Sequence, residues 1–159
     1  MEVEVISSKK ELRRFLNEDA RALGISYRFP VITTSNSMVW LTDPIWKWTK
    51  LLRHLEYWEN CHQGILSFPY RLMLRHRFVK LSTFLGISIP INTCGPGLAI
   101  LHYGSIVISR HAKVGSNVTI NSCVNIGYHR GGGPSLAIMS TLGQARSYLD
   151  QFQLQIIVK

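Results

Sequence analysis

Acidic side chains are scarce in this chain: nine Asp and Glu stand against 18 Lys and Arg, a formal charge of +9. Such a balance favours contact with something anionic, whether nucleic acid, a lipid surface or a phosphorylated cofactor. The bases, among them Lys9, Arg13, Lys47, Arg53, Arg71 and Lys80, are spread over helical segments. Solvated helix faces account for them, and no basic pattern interleaved with stacking aromatics marks a nucleic-acid module. Cysteine is also sparse. Cys61, Cys94 and Cys123 are odd in number, widely spaced and without a CxxC pair, so neither a disulfide framework nor a zinc site is indicated, and a reducing cytoplasm fits best. No run approaches the roughly 20 apolar residues of a membrane span. The N-terminal stretch carries acids and bases where a secretory signal needs an apolar run. With 46% hydrophobic and 17% charged residues in 159, the composition is that of an ordinary globular protein of one domain, or of a small helical unit fused to a second small unit.

The first 86 residues read as mainly helical. Ser8 followed by Glu11 is a capping box, and Leu12, Leu16, Ala20 and Leu23 recur at helical spacing, which predicts a helix over 9–23. Residues 25–41 offer no assignment beyond loop. Asp43-Pro44 opens a second helix carrying Trp48, Leu52, Leu55 and Trp58 towards Gly64. A third runs from near Pro69 to Gly86, with Leu74, Phe78, Leu81 and Leu85 on one stripe.

From Gly86 the pattern changes, as Gly, Asn and β-branched residues replace helix formers. Ile108, Val114, Ile120 and Ile126 fall six apart, and Ala112, Val118 and Val124 form a second six-residue series. Period six is neither the helical 3.6 nor the alternation of a hairpin, and it predicts a β-helix whose coils stack apolar side chains inward. The alternative is an ordinary antiparallel sheet with fortuitous spacing. Gly115 and Gly127 are expected at tight corners. His102 lies six before Ile108, at a position where the repeat calls for an aliphatic.

The stretch LGISIPINTCGPGLAILHYGSIVISRHAKVGSNVTINSCVNIG, with SKKELRRFLNEDARALGI and LRHLEYWENC before it, resembles the serine O-acetyltransferases, particularly the short forms of bacterial polysaccharide gene clusters. The resemblance covers about residues 7–134. It implies an α+β protein: a helical N-terminal region (1–86), then a short, incomplete left-handed parallel β-helix of hexapeptide repeats (87–134) with three-sided coils. It further implies a homotrimer that takes acetyl-CoA as co-substrate, needs no metal, and binds small molecules rather than nucleic acid or membrane. His102 stands where the family carries its catalytic histidine, as general base for acetyl transfer to the hydroxyl of L-serine, the step that leads to cysteine. The same base and cofactor serve a sugar or polysaccharide-precursor hydroxyl, and a degenerate, inactive relative is a third reading. Tyr103, His129 and the loop 127–133 are candidates to line the substrate pocket; the first reading of His129 is a plain loop histidine, with substrate contact second. His111 faces outward by register.

Two departures stand out. Leu101 precedes His102 where larger relatives have an acid, and Gly133 rather than a second histidine precedes Pro134. Orientation of His102 is then expected from a backbone carbonyl or another subunit. Residues 135–159 show neither the repeat nor the resemblance. Read one base earlier, codons permitted by this tail encode further in-phase hexapeptides, so a frameshift near Gly133, or a truncation, is expected.

Overall fold

In the computed structural model, residues 3–25 and 43–126 are described, together with the backbone of 135–136 and 156–158. His129, Gly127 to Pro134, most of the tail and the stretch 26–42 lie outside them.

Helix α1 spans Lys9–Ala22, with Ser8 as N-cap: its side chain accepts the Glu11 N–H at 3.2 Å. The reciprocal half of the expected capping box is displaced by one residue, because the Glu11 carboxylate accepts from the N–H and O–H of Ser7. Helix α2 spans Pro44–Cys61. Asp43 caps it by accepting the Ile45 N–H at 2.7 Å, and proline fills the first turn, where a missing N–H costs nothing. After a short 3-10 turn at Ile65–Ser67, helix α3 runs from Phe68 to Leu85 and ends on Gly86 at φ +67°. Trp58 of α2 meets Tyr70 of α3, while Trp48 meets Phe78 and donates its indole N–H to Ser82. Contact numbers that fall on one helix as they rise on the other make the pair antiparallel. The expected stripe packs inward through Leu74, Phe78 and Leu85, whereas Ile65, Leu66, Phe68, Leu72 and Phe84 are exposed.

The strands that follow are short: β1 Ile87–Ser88, β2 Ala99–Ile100, β3 Ile106–Ile108, β4 Lys113–Val114, β5 Val118–Ile120 and β6 Asn125–Ile126. They stack in parallel on three faces. The first carries β1, β3 and β6, the second β2 and β5, and the third β4, bridged to Cys94. Val107 pairs with Asn125, so one circuit between these strands is three six-residue units. This excludes the antiparallel-sheet alternative. Both six-residue series point inward: Ala112, Val114, Val118, Ile120, Val124 and Ile126 are all buried, and Ile106 extends the second series backward. The backbone of β7, Ser135–Leu136, adds a parallel rung beside β4, whereas β8, Ile156–Val158, pairs antiparallel with β5.

In the bend between β4 and β5 the left-handed residue is not the glycine. Gly115 does not take the left-handed corner; Asn117 does, at φ +56°, with Asn92, Ser105 and Cys123 at equivalent bends. Asn tolerates this region because its short polar side chain bonds locally. Gly97, at φ +81°, is required for a second reason: a Cβ there would lie 2.4 Å from Oδ1 of Asn117 in the next coil.

One apolar core runs from Trp48, Leu52 and Leu55 of α2 and Leu74, Phe78 and Leu85 of α3 into the coil interior as far as Ile126. A second cluster joins Ile6 and the α1 residues Leu12, Phe15, Leu16 and Ala20 to Trp46. Among the described residues no helix is long and apolar enough to cross a membrane.

Candidate functional site

His102 and Tyr103 sit together on the exposed turn 101–105 that joins β2 to β3. The expected register of His102 is wrong. The interior pair before the turn is Leu98 and Ile100, and the next is Ile106 and Ile108, eight residues on rather than six. Two extra residues lengthen this corner, so His102 projects outward instead of replacing an inward aliphatic. The signal was present in Ile106, whose alternation with Ile108 sets the phase of that strand.

The far end of the turn is clamped between two coils. Gly104 and Ser105 take left-handed φ values of +111° and +47°. Below them lies Gly86, where a Cβ would approach the Ser105 nitrogen at 3.2 Å. Above them the Cys123 N–H donates to the Gly104 carbonyl at 3.2 Å, and the Leu101 N–H donates to Ile120 at 3.0 Å. The backbone is thus held on both flanks of His102 while the ring faces solvent. Such a histidine is free to meet a hydroxyl and to exchange a proton. Its chain neighbours Leu101 and Tyr103 are exposed as well. His111 is exposed on the following corner. Among the described residues no group of three His, Cys, Asp or Glu side chains is arranged to hold a metal ion.

Four residues before His102, the chain meets a buried ionic cluster that the sequence reading missed. Arg53 is not a solvated helix-face base but fully buried. Its Nε donates to Asp19 at 2.7 Å and its Nη1 to Glu56 at 2.9 Å. The same guanidinium donates to the carbonyls of Cys94, at 2.9 Å, and Gly95, at 2.7 Å. Oδ1 of Asp19 accepts the N–H groups of Gly97 and Leu98, each at 2.8 Å, and Glu56 accepts that of Asn92 at 2.8 Å. Burial acts to strip the proton from Arg53, but the charges of Glu56 and Asp19 outweigh it and its pKa rises. Burial raises the Glu56 carboxyl despite the opposing charge of Arg53. Arg53 and Glu56 at i, i+3 were a visible signal; Asp19, 34 residues away, was not.

No protein-family model and no curated protein matches the chain. Among solved structures, a soybean serine acetyltransferase complexed with serine is similar in fold, with a TM-score of 0.52 at 23% identity over 81% of this chain. The matched region covers 49% of that protein, so this chain spans about half its length. A helical N-terminal region followed by parallel coils is therefore an architecture this chain shares with a serine acetyltransferase.

Proposed function

We propose that this chain is an acyl-CoA-dependent O-acetyltransferase that moves the acetyl group of acetyl-CoA to the hydroxyl of L-serine, with His102 as general base. The observation that carries this reading is the projection of His102 from a backbone clamped on both sides, in a fold shared with a serine acetyltransferase. A neutral imidazole nitrogen of His102 removes the hydroxyl proton as the serine oxygen attacks the thioester carbonyl. The tetrahedral intermediate collapses with cleavage of the carbon–sulfur bond, and His102 returns the proton to the departing thiolate. Backbone N–H groups hold the oxyanion. No covalent enzyme intermediate is needed. Tyr103, beside the base, contacts the acceptor, and His129 is a second candidate for that contact.

The same reading takes the coil as left-handed, the assembly as a trimer with acetyl-CoA between neighbouring subunits, and the setting as the cytoplasm, where the product feeds cysteine synthesis. The tail is read as out of frame, its place belonging to further parallel coils.

Thiol release is measured with acetyl-CoA and L-serine on the 159-residue chain and on a version with the frame restored. Serine-dependent release that falls by about 10²–10⁴ in His102→Ala supports the assignment. Release with a sugar hydroxyl but not with serine would move the acceptor, and release unaffected by His102→Ala would remove the base.

A further inference from the structure

Seven residues of irregular backbone, Asn92–Leu98, lead into β2 and then into the His102 turn. On their helical side three charged side chains engage five main-chain groups: Glu56 takes the N–H of Asn92, Arg53 the carbonyls of Cys94 and Gly95, and Asp19 the N–H groups of Gly97 and Leu98. On its other side the same segment builds the next coil. Thr93 accepts the Val114 N–H at 2.9 Å, Gly95 donates to Val114 at 3.0 Å, and Pro96 accepts the Asn117 N–H at 2.8 Å. The segment therefore takes its position from the helices and passes it to the first two coils.

Charged groups are a costly means of stability alone, because a buried ion pair gains little over an apolar replacement of equal shape. What they add is direction. A bidentate guanidinium and a carboxylate that accepts two adjacent amides define the place of each peptide plane in a way that side-chain packing does not. Only β2, Ala99–Ile100, and Leu101 separate Leu98 from His102, and β2 is paired in register with β5. Asp19 thus grips the chain four residues before His102, at the entry to β2.

We propose that Asp19, Arg53 and Glu56 are positioning residues for His102, a helix-borne clamp that sets where the first coil presents the base to the acceptor hydroxyl. The inference rests on the acetyl-transfer reading only for its kinetic consequence. Its test compares the 159-residue chain with Asp19→Asn, Glu56→Gln and Arg53→Lys by amide hydrogen exchange, by the NMR resonances of the His102 ring, and by kcat and KM in thiol release. Asp19→Asn keeps an oxygen for the Gly97 and Leu98 amides and puts an NH2 donor in place of the oxygen that accepts the Arg53 Nε–H, so it cuts the segment's tie to Arg53 while Arg53 stays in place, and it remains informative where an Arg53 variant fails to fold.

The expected result is exchange at least about tenfold faster from Gly97 to Leu101, with α1 and α2 little changed. The His102 resonances are displaced, and kcat falls about tenfold while KM for both substrates stays within about twofold. Exchange that rises uniformly over helices and coil with His102 resonances unmoved would overturn the proposal, as would no local change at all. A wild-type chain without turnover on serine or a sugar would sink the acetyltransferase reading, and exchange with the ring resonances would still decide the clamp.

Discussion

Single residues carry two sharply different environments in this protein. Cys94 is buried in the core and burial pushes its thiol up to about 12, whereas Cys123 is exposed on a corner and Cys61 is half-buried. The thiolate is the reactive form, so alkylation near pH 8 is expected to label Cys123 first and Cys94 only on unfolding, as mass spectrometry of the labelled peptides will report. Glu56 makes a pH argument with a definite sign. Its carboxyl holds a proton to higher pH in the folded chain than in the unfolded one, where 4.5 is the ordinary value. The stability this contributes is full below the ordinary range and is lost as pH rises through the raised value. Urea unfolding across that range is expected to show Glu56→Gln gaining on the wild type as pH rises; parallel curves would contradict the assignment. At Gly97 a Cβ would strike Asn117 in a left-handed conformation, so Gly97→Ala is expected to cost about 1–3 kcal/mol in the same measurement. Arg53→Ala would strand two buried carboxylates and cost about 3–5 kcal/mol.

At the scale of elements, the helix boundaries follow from local chemistry. Ser8, Asp43 with Pro44, and left-handed Gly86 mark ends that were legible because a cap satisfies the helix's own orphan backbone groups and needs no distant partner. Asp43→Ala is accordingly expected to lower the thermal stability of the chain by about 1 kcal/mol, measured by circular dichroism. The inward positions of the coil were legible for a similar reason, since a six-residue period is a property of one strand and its corner. The corner at His102 was misread because its two extra residues are visible only when Ile100 and Ile106 are seen stacked in successive strands. The left-handed bends fall on Ser105, Asn117 and Cys123, because stacking against neighbouring coils decides which residue takes each.

The whole molecule is organised around a core that does not stop at Gly86. Leu74, Phe78 and Leu85 bury themselves among Ile87, Ile106 and Ile108, so the helices and the first coils share one interior. Unfolding in denaturant is expected to be a single transition, with tryptophan fluorescence, which reports the helical half, and backbone circular dichroism coinciding. Separate midpoints would mean that the two halves fold independently. A chain cut after Gly86 would expose the α2 and α3 residues that pack on the coil, and is expected to lose fixed tertiary structure by NMR.

The sequence by itself determined the helix ends, the period of the coil and its inward-facing residues, because each rests on residues close together in the chain, while His102 came forward as candidate base through the family resemblance. The tertiary structure alone decided that His102 projects from a lengthened corner and that Arg53 lies buried between Asp19 and Glu56. Those outcomes depend on which backbone groups a fold leaves unsatisfied in its interior. Arg53 with Glu56 at i, i+3 points to an ion pair, but nothing near it in the chain reveals the carbonyls of Cys94 and Gly95 that the fold brings to it.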